Sequence, residues 1–131
     1  MESKTVEVIK EYIAERPEIK IGYLFGSQAT GTLNKLSDID IAIFIDKTMV
    51  DNSQYPYGYK AKVITDLMKI LKSNKVDLVI LNDAPYLLRH RVIRYGRLVY
   101  SFQESERVKF QVDTISRYLD FKSLLNIHYG R

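Results

Sequence analysis

Apolar residues return at Val6, Ile9 and Ile13, with Tyr12 beside them, at the spacing of one helix face, and the pattern stops before Pro17. A helix followed by a break is expected there. The run KIGYLFG then predicts a strand ended by Gly26. In DIDIAIFI the alternation is strict, so Ile39, Ile41, Ile43 and Ile45 share one face while Asp38, Asp40, Ala42 and Phe44 share the other. Beyond a loop containing QYPYGY, the spacing predicts a helix from about Lys60 to Leu71 and a strand in KVDLVILN, interrupted by Asp77. A short helix from Pro85 to about Tyr95, a turn at Gly96, a strand RLVYS and a long helix from about Glu104 to Leu125 follow. Helices alternate with strands, so the class is α/β (α+β), a small mixed sheet flanked by helices. The 131 residues show no repeat, low-complexity segment or linker and read as a single domain over 1–131.

Two aspartates on one face of a core strand demand an explanation, and composition narrows the choices. Cysteine is absent and there are only two histidines, His90 and His128, neither with a signal above that of surface residues. Thiolate catalysis, disulfides and cysteine zinc sites are thereby excluded, and any metal must be held by oxygen. The net charge of +4 suits an anionic partner without choosing among a nucleotide, a nucleic acid and an acidic protein. No stretch approaches a membrane span, and the start MESKTVEVIKEYI is amphipathic and carries acidic residues, unlike a signal peptide. A cytoplasmic protein is expected.

Asp38 and Asp40 place their carboxylates roughly 6–7 Å apart along a strand, and Asp77 belongs to another strand of what should be the same sheet. An isolated Asp-x-Asp also suits a strand capped at a solvent edge. Carboxylates gathered on a buried face, however, repel by about 4 kcal/mol per pair at 4 Å and an effective dielectric near 20, so the arrangement calls for a cation. Oxygen ligands favour magnesium or manganese, which bind through one or two carboxylates plus substrate phosphates and water. Gly26-Ser27, a strand end opening into a turn, offers backbone N–H groups and a hydroxyl to phosphate oxygens. A phosphate cradle beside metal-binding carboxylates is the layout for nucleotidyl transfer.

Gly26-Ser27, ten intervening residues and Asp38-x-Asp40 form the signature of the DNA polymerase β-like nucleotidyltransferase superfamily, with Gly31 and Ser37 at positions often small or polar in that motif. From the first helix to RLVYS the chain resembles its minimal nucleotidyltransferase (MNT) branch. The resemblance implies that Gly26 and Ser27 bind the triphosphate of ATP and that Asp38 and Asp40 hold two Mg2+ ions, with Mn2+ possible as a substitute. It also implies that Asp77 is the third carboxylate, binding the catalytic metal and assisting deprotonation of an acceptor hydroxyl. Small members of this branch are often paired with a HEPN-domain toxin, which some inactivate by transferring AMP to a tyrosine. The expected activity is therefore a protein adenylyltransferase acting as antitoxin in a hetero-oligomer, with no membrane association and no direct nucleic-acid binding. The alternatives are a non-catalytic antitoxin that masks its partner sterically and an enzyme acting on a small molecule of the aminoglycoside type.

The last helix, 104–125, is expected to bind the partner because it is apolar on two sides. Val108, Val112, Ile115 and Leu119 form one stripe, assigned to the sheet; Phe110, Tyr118, Phe121 and Leu125 form a nearly opposite one, assigned to the partner. A chain end folded over the second stripe is the other reading. Tyr55, Tyr57 and Tyr59 of QYPYGY suit packing or stacking on an adenine. Arg91 and Arg94, one turn apart, suit a solvated helix face or contact with nucleotide phosphate or RNA.

Overall fold

The computed structural model describes residues 2–26 and 38–128, with side chains at 4–26 and 38–124. Its elements are α1 (Glu2–Ala14), β1 (Ile19–Phe25), β2 (Ile39–Ile45), α2 (Tyr59–Leu71), β3 (Val76–Ile80), α3 (Tyr86–Tyr95), β4 (Arg97–Ser101) and α4 (Glu104–His128). They match the expected order, with shifts of a residue or two at several ends and three at the end of α4. The strands form one mixed sheet in the order β3-β2-β1-β4. β1 lies antiparallel to both β2 and β4, whereas β3 runs parallel to β2. A parallel neighbour requires a crossover, and α2 supplies it.

The alternation in β2 divides the core in two. Ile41, Ile43 and Ile45 face α1 and α2, packing with Ile9, Ile13, Val63 and Leu67. Ala42 and Phe44 face the other way, joining Ile21 and Tyr23 of β1, Val92 of α3 and Phe110 of α4. Two helices thus cover each face, and both sides of β2 are committed. Among the described residues no helix is long and apolar enough to cross a membrane.

The stripes of α4 are reversed from the expectation. Phe110 is buried, its ring 4.5 Å from that of Phe44, and Thr114 is wholly buried. Gln111 donates to the Tyr23 hydroxyl at 2.8 Å, and Tyr118 stacks on His90 of α3 at 3.9 Å. By contrast Val108, Val112, Ile115 and Leu119 are 39–60% exposed. The cause is shape and polar satisfaction: α4 rests largely on α3, a planar ring fills the gap over Phe44, and the buried Tyr23 hydroxyl needs a polar partner. Phe121, 47% exposed, stays open as expected, while the Leu125 side chain lies outside the described residues.

Candidate active site

β1 ends at Phe25, which stands opposite Asp40 of β2. Gly26 then turns the chain with φ +71°, a conformation that costs other residues, and a Cβ placed on it would meet Asp40 Oδ2 at 2.5 Å. Only a glycine lets this turn pass beside the carboxylate. Asp40 in turn pairs in parallel register with Asp77 of β3. Since Ala42 and Val79, two residues further along each strand, pack against the α3/α4 side, both carboxylates face that side. Asp38 immediately precedes β2 and is exposed.

Electrostatics bind the three into a group. Burial pushes the Asp40 carboxyl above its ordinary value, and the charges of Asp77 and Asp38 push it further. Asp77 is exposed at the sheet end, and its Oδ1 accepts a hydrogen bond from the Leu78 amide at 2.9 Å, which fixes its orientation. The donor set is oxygen alone and carries excess negative charge, which a divalent cation would relieve. Among the described residues these groups do not close into a cage, so remaining ligands would come from phosphates and water, the manner of magnesium. Of the expected site residues, the fold brings Gly26, Asp38, Asp40 and Asp77 together. Ser27, like Gly31 and Ser37, lies outside the described residues.

The tyrosine loop does not belong to this site. Tyr55 and Tyr59 pack edge to face with ring centres 5.5 Å apart, and their hydroxyls meet Arg16 and Glu18, which lie just before the start of β1. That is the sheet end opposite Gly26, which leaves packing as the role of Tyr55 and Tyr59. Arg91 and Arg94, however, line a cavity between α3 and α4 on the carboxylate side, where they are joined by Tyr95, Tyr118 and Lys122. Tyr95 and Lys122 carried no signal in the sequence, and Tyr118 was expected only on the partner-facing stripe of the last helix, because no sequence spacing announces which residues of two helices will meet.

A family profile described as "Polymerase beta, Nucleotidyltransferase" matches residues 7–105. The chain is 31% identical over 117 residues, 89% of its own length and 76% of the other's, to a protein adenylyltransferase MntA of Shewanella oneidensis. It is also similar to one chain of a crystal structure of a toxin–antitoxin with AMP-PNP, at 29% identity and a TM-score of 0.73, covering 98% of this chain and 94% of that one. Another similar structure contains a tri-AMPylated Shewanella oneidensis HEPN toxin in complex with MNT antitoxin, with 25% identity, a TM-score of 0.72 and coverage of 98% and 96%.

Proposed function

This chain belongs to the polymerase beta nucleotidyltransferase family, and we propose that it transfers AMP from ATP to a hydroxyl, that of a tyrosine, on a HEPN-type partner and so acts as its antitoxin in the cytoplasm. The observation that carries this reading is the juxtaposition of the Gly26 turn with Asp38, Asp40 and Asp77 on one side and one end of the sheet. The turn at Gly26, together with Ser27 that follows it in sequence, receives the triphosphate. Asp38 and Asp40 hold two magnesium ions, with Asp77 completing the site of one of them. Bound magnesium supplies charge neutralisation on the triphosphate and on the entering oxygen. The acceptor oxygen forms a bond to the α-phosphorus in line with the departing bridging oxygen, pyrophosphate leaves, and Asp77 assists removal of the hydroxyl proton. Positioning by Gly26 and the ordered carboxylates accounts for most of the rate.

The whole chain 1–131 acts as one nucleotidyltransferase domain, and α4 docks the partner. The surface it uses is the Val108, Val112, Ile115 and Leu119 stripe, which lies exposed beside the catalytic side of the sheet. The relatives that are complexes with a HEPN toxin support this choice of occupant.

Incubation with the partner, ATP and magnesium should increase the partner's intact mass by whole AMP units. Asp77→Asn should slow that transfer far more than it weakens the complex. Calorimetry should show that Asp38→Asn with Asp40→Asn abolishes magnesium-dependent ATP binding. A partner neutralised with no mass change would identify a steric mask instead, and equal ATP affinity in the double variant would overturn the metal assignment.

A further inference from the structure

On the side of the sheet that carries the carboxylates, α3 and α4 enclose a cavity of about 480 Å³, within the roughly 300–1,000 Å³ range of small-molecule sites. Arg91 and Arg94 of α3 and Lys122 of α4 line it, whereas Gly26, Asp38, Asp40, Asp77 and every other carboxylate among the described residues do not. Other cations of these helices are engaged: Arg89 donates to the carbonyls of Asn82 and Ala84, Arg107 pairs with Glu104, and Arg117 pairs with Asp113. Among the described residues Arg91 and Lys122 have no ion-pair partner, and Arg94 meets only Tyr95, whose hydroxyl accepts from it at 3.2 Å. The negative end of a helix dipole accounts for Arg94 in the last turn of α3, but not for three cations around one concavity. Such a set favours an anion with several oxygens.

An aromatic platform and the charge count narrow the ligand. Tyr95 is 66% exposed, with the Arg94 guanidinium 5.4 Å from its ring centre, and offers a flat surface to a further ring. Cations beside such a platform suit a phosphate group joined to a base. A nucleoside diphosphate carries about three negative charges at neutral pH, which matches Arg91, Arg94 and Lys122. Magnesium on a nucleoside triphosphate would instead face these three cations with no described carboxylate to hold it. The cavity thus disfavours the metal-bound triphosphate for which the carboxylate site is suited.

Binding there has a mechanical consequence. His90 of α3 stacks on Tyr118 of α4 at 3.9 Å with an interplanar angle of 11°, and the Arg117 guanidinium lies 5.4 Å from the centre of the Tyr86 ring. One turn beyond Tyr118, Lys122 shares the cavity with Arg91 and Arg94, so like charges push the end of α4 away from α3. An anion between them reverses that push. We propose that the cavity is a second nucleotide site, separate from the carboxylates, which takes a metal-free nucleoside diphosphate and thereby fixes the end of α4 against α3. The fixed segment includes Leu119, 54% exposed and part of the stripe read above as the docking surface. Bound diphosphate therefore strengthens partner docking; this effect alone rests on that reading, and the binding itself does not.

Calorimetry of the isolated protein with ADP in EDTA tests the site. Affinity should fall by about tenfold or more in Arg91→Ala with Arg94→Ala, fall several-fold in Lys122→Ala on the opposite wall, and stay within about twofold of wild type in Asp38→Asn with Asp40→Asn. No binding to wild type, or loss in the aspartate variant with survival in the arginine variant, overturns the proposal. Tyr95→Ser should weaken ADP and leave inorganic pyrophosphate unaffected; wild type binding pyrophosphate as tightly as ADP would make this a plain anion site and overturn the nucleotide assignment. Tighter binding of an unrelated RNA 12-mer than of ADP, lost in the arginine variant, would overturn it in favour of a nucleic-acid face. In a second measurement, sedimentation with the partner should show affinity rising several-fold with saturating ADP for wild type and not for the arginine variant. An ADP-binding wild type whose partner affinity does not change overturns the coupling. Should Val112→Ser with Leu119→Ser leave association unaltered, the docking reading of α4 fails, while the calorimetry still decides whether the cavity takes a nucleoside diphosphate.

Discussion

Gly26 is where a single added side chain would collide with a carboxylate of the proposed site. Substitution by alanine imposes a left-handed backbone, about 1–2 kcal/mol, and drives a methyl group toward Asp40 Oδ2, which stands 2.5 Å from the Cβ position. Gly26→Ala should therefore lower the thermal midpoint modestly and suppress AMP transfer far more, because the carboxylate itself must move. Melting curves beside transfer rates check this; normal transfer by the alanine variant would detach Gly26 from the site. Much of this corner was legible beforehand. Strand parity alone put Asp38 and Asp40 on one face, Gly26 came from the motif, and Asp77 came from strand order and the family resemblance; its place beside Asp40 follows from the parallel register of β2 and β3. The lean of Asp40 across the Gly26 turn was not legible, because it depends on how two strands end relative to each other.

Among the elements, α4 shows where periodicity stops short. Its two apolar sides, about half a turn apart, are real, but counting aliphatic residues selected the wrong one for burial. Phe110, Gln111, Thr114 and Tyr118 point inward because they match Phe44, the Tyr23 hydroxyl and His90, partners far away in sequence. Phe110→Ala should accordingly destabilise the isolated chain by about 3–5 kcal/mol, the usual loss for a buried ring. Val112→Ser with Leu119→Ser should leave its melting point nearly unchanged and weaken binding of the partner, since both residues are more than half exposed. Thermal melts alongside sedimentation with the partner separate the two effects, and unaltered association in the serine variant would remove this stripe from the docking surface.

At the scale of the whole molecule, the proposed site and a cohesive polar network occupy opposite ends of the sheet. The carboxylates gather where β1 finishes, whereas a polar network ties α1, the entry to β1 and α2 together where it begins. Tyr12 donates to Asp66 at 2.7 Å, Tyr59 donates to Glu18 at 2.7 Å, and Arg16 pairs with Glu18 at 2.8 Å. No spacing in the sequence links residues 12, 16, 18, 59 and 66; only the packing of two helices on one face does. Burial pushes the Glu18 and Asp66 carboxyls up, but their hydrogen bonds and cations outweigh it and hold both below the ordinary range. Burial and the same hydrogen bonds push the Tyr12 and Tyr59 hydroxyls well above theirs. Depressed carboxyls stabilise the fold above their unfolded values, near pH 4, and that contribution fades as pH falls through the folded ones; raised tyrosines stabilise it below about pH 10 and lose that contribution above. Stability should thus form a plateau from about pH 5 to 10 and decline on both sides. Glu18→Gln should lower the plateau by about 1–3 kcal/mol, since Arg16 and Tyr59 lose a charged acceptor, and flatten the acid limb. Magnesium-dependent ATP binding at neutral pH should remain close to wild type, because the substitution lies at the far end of β1. Denaturant melts across pH, paired with ATP calorimetry, measure both: an acid limb as steep in Glu18→Gln as in wild type would remove Glu18 from the network, and a collapse of ATP binding with the fold intact would show that the two ends are not independent.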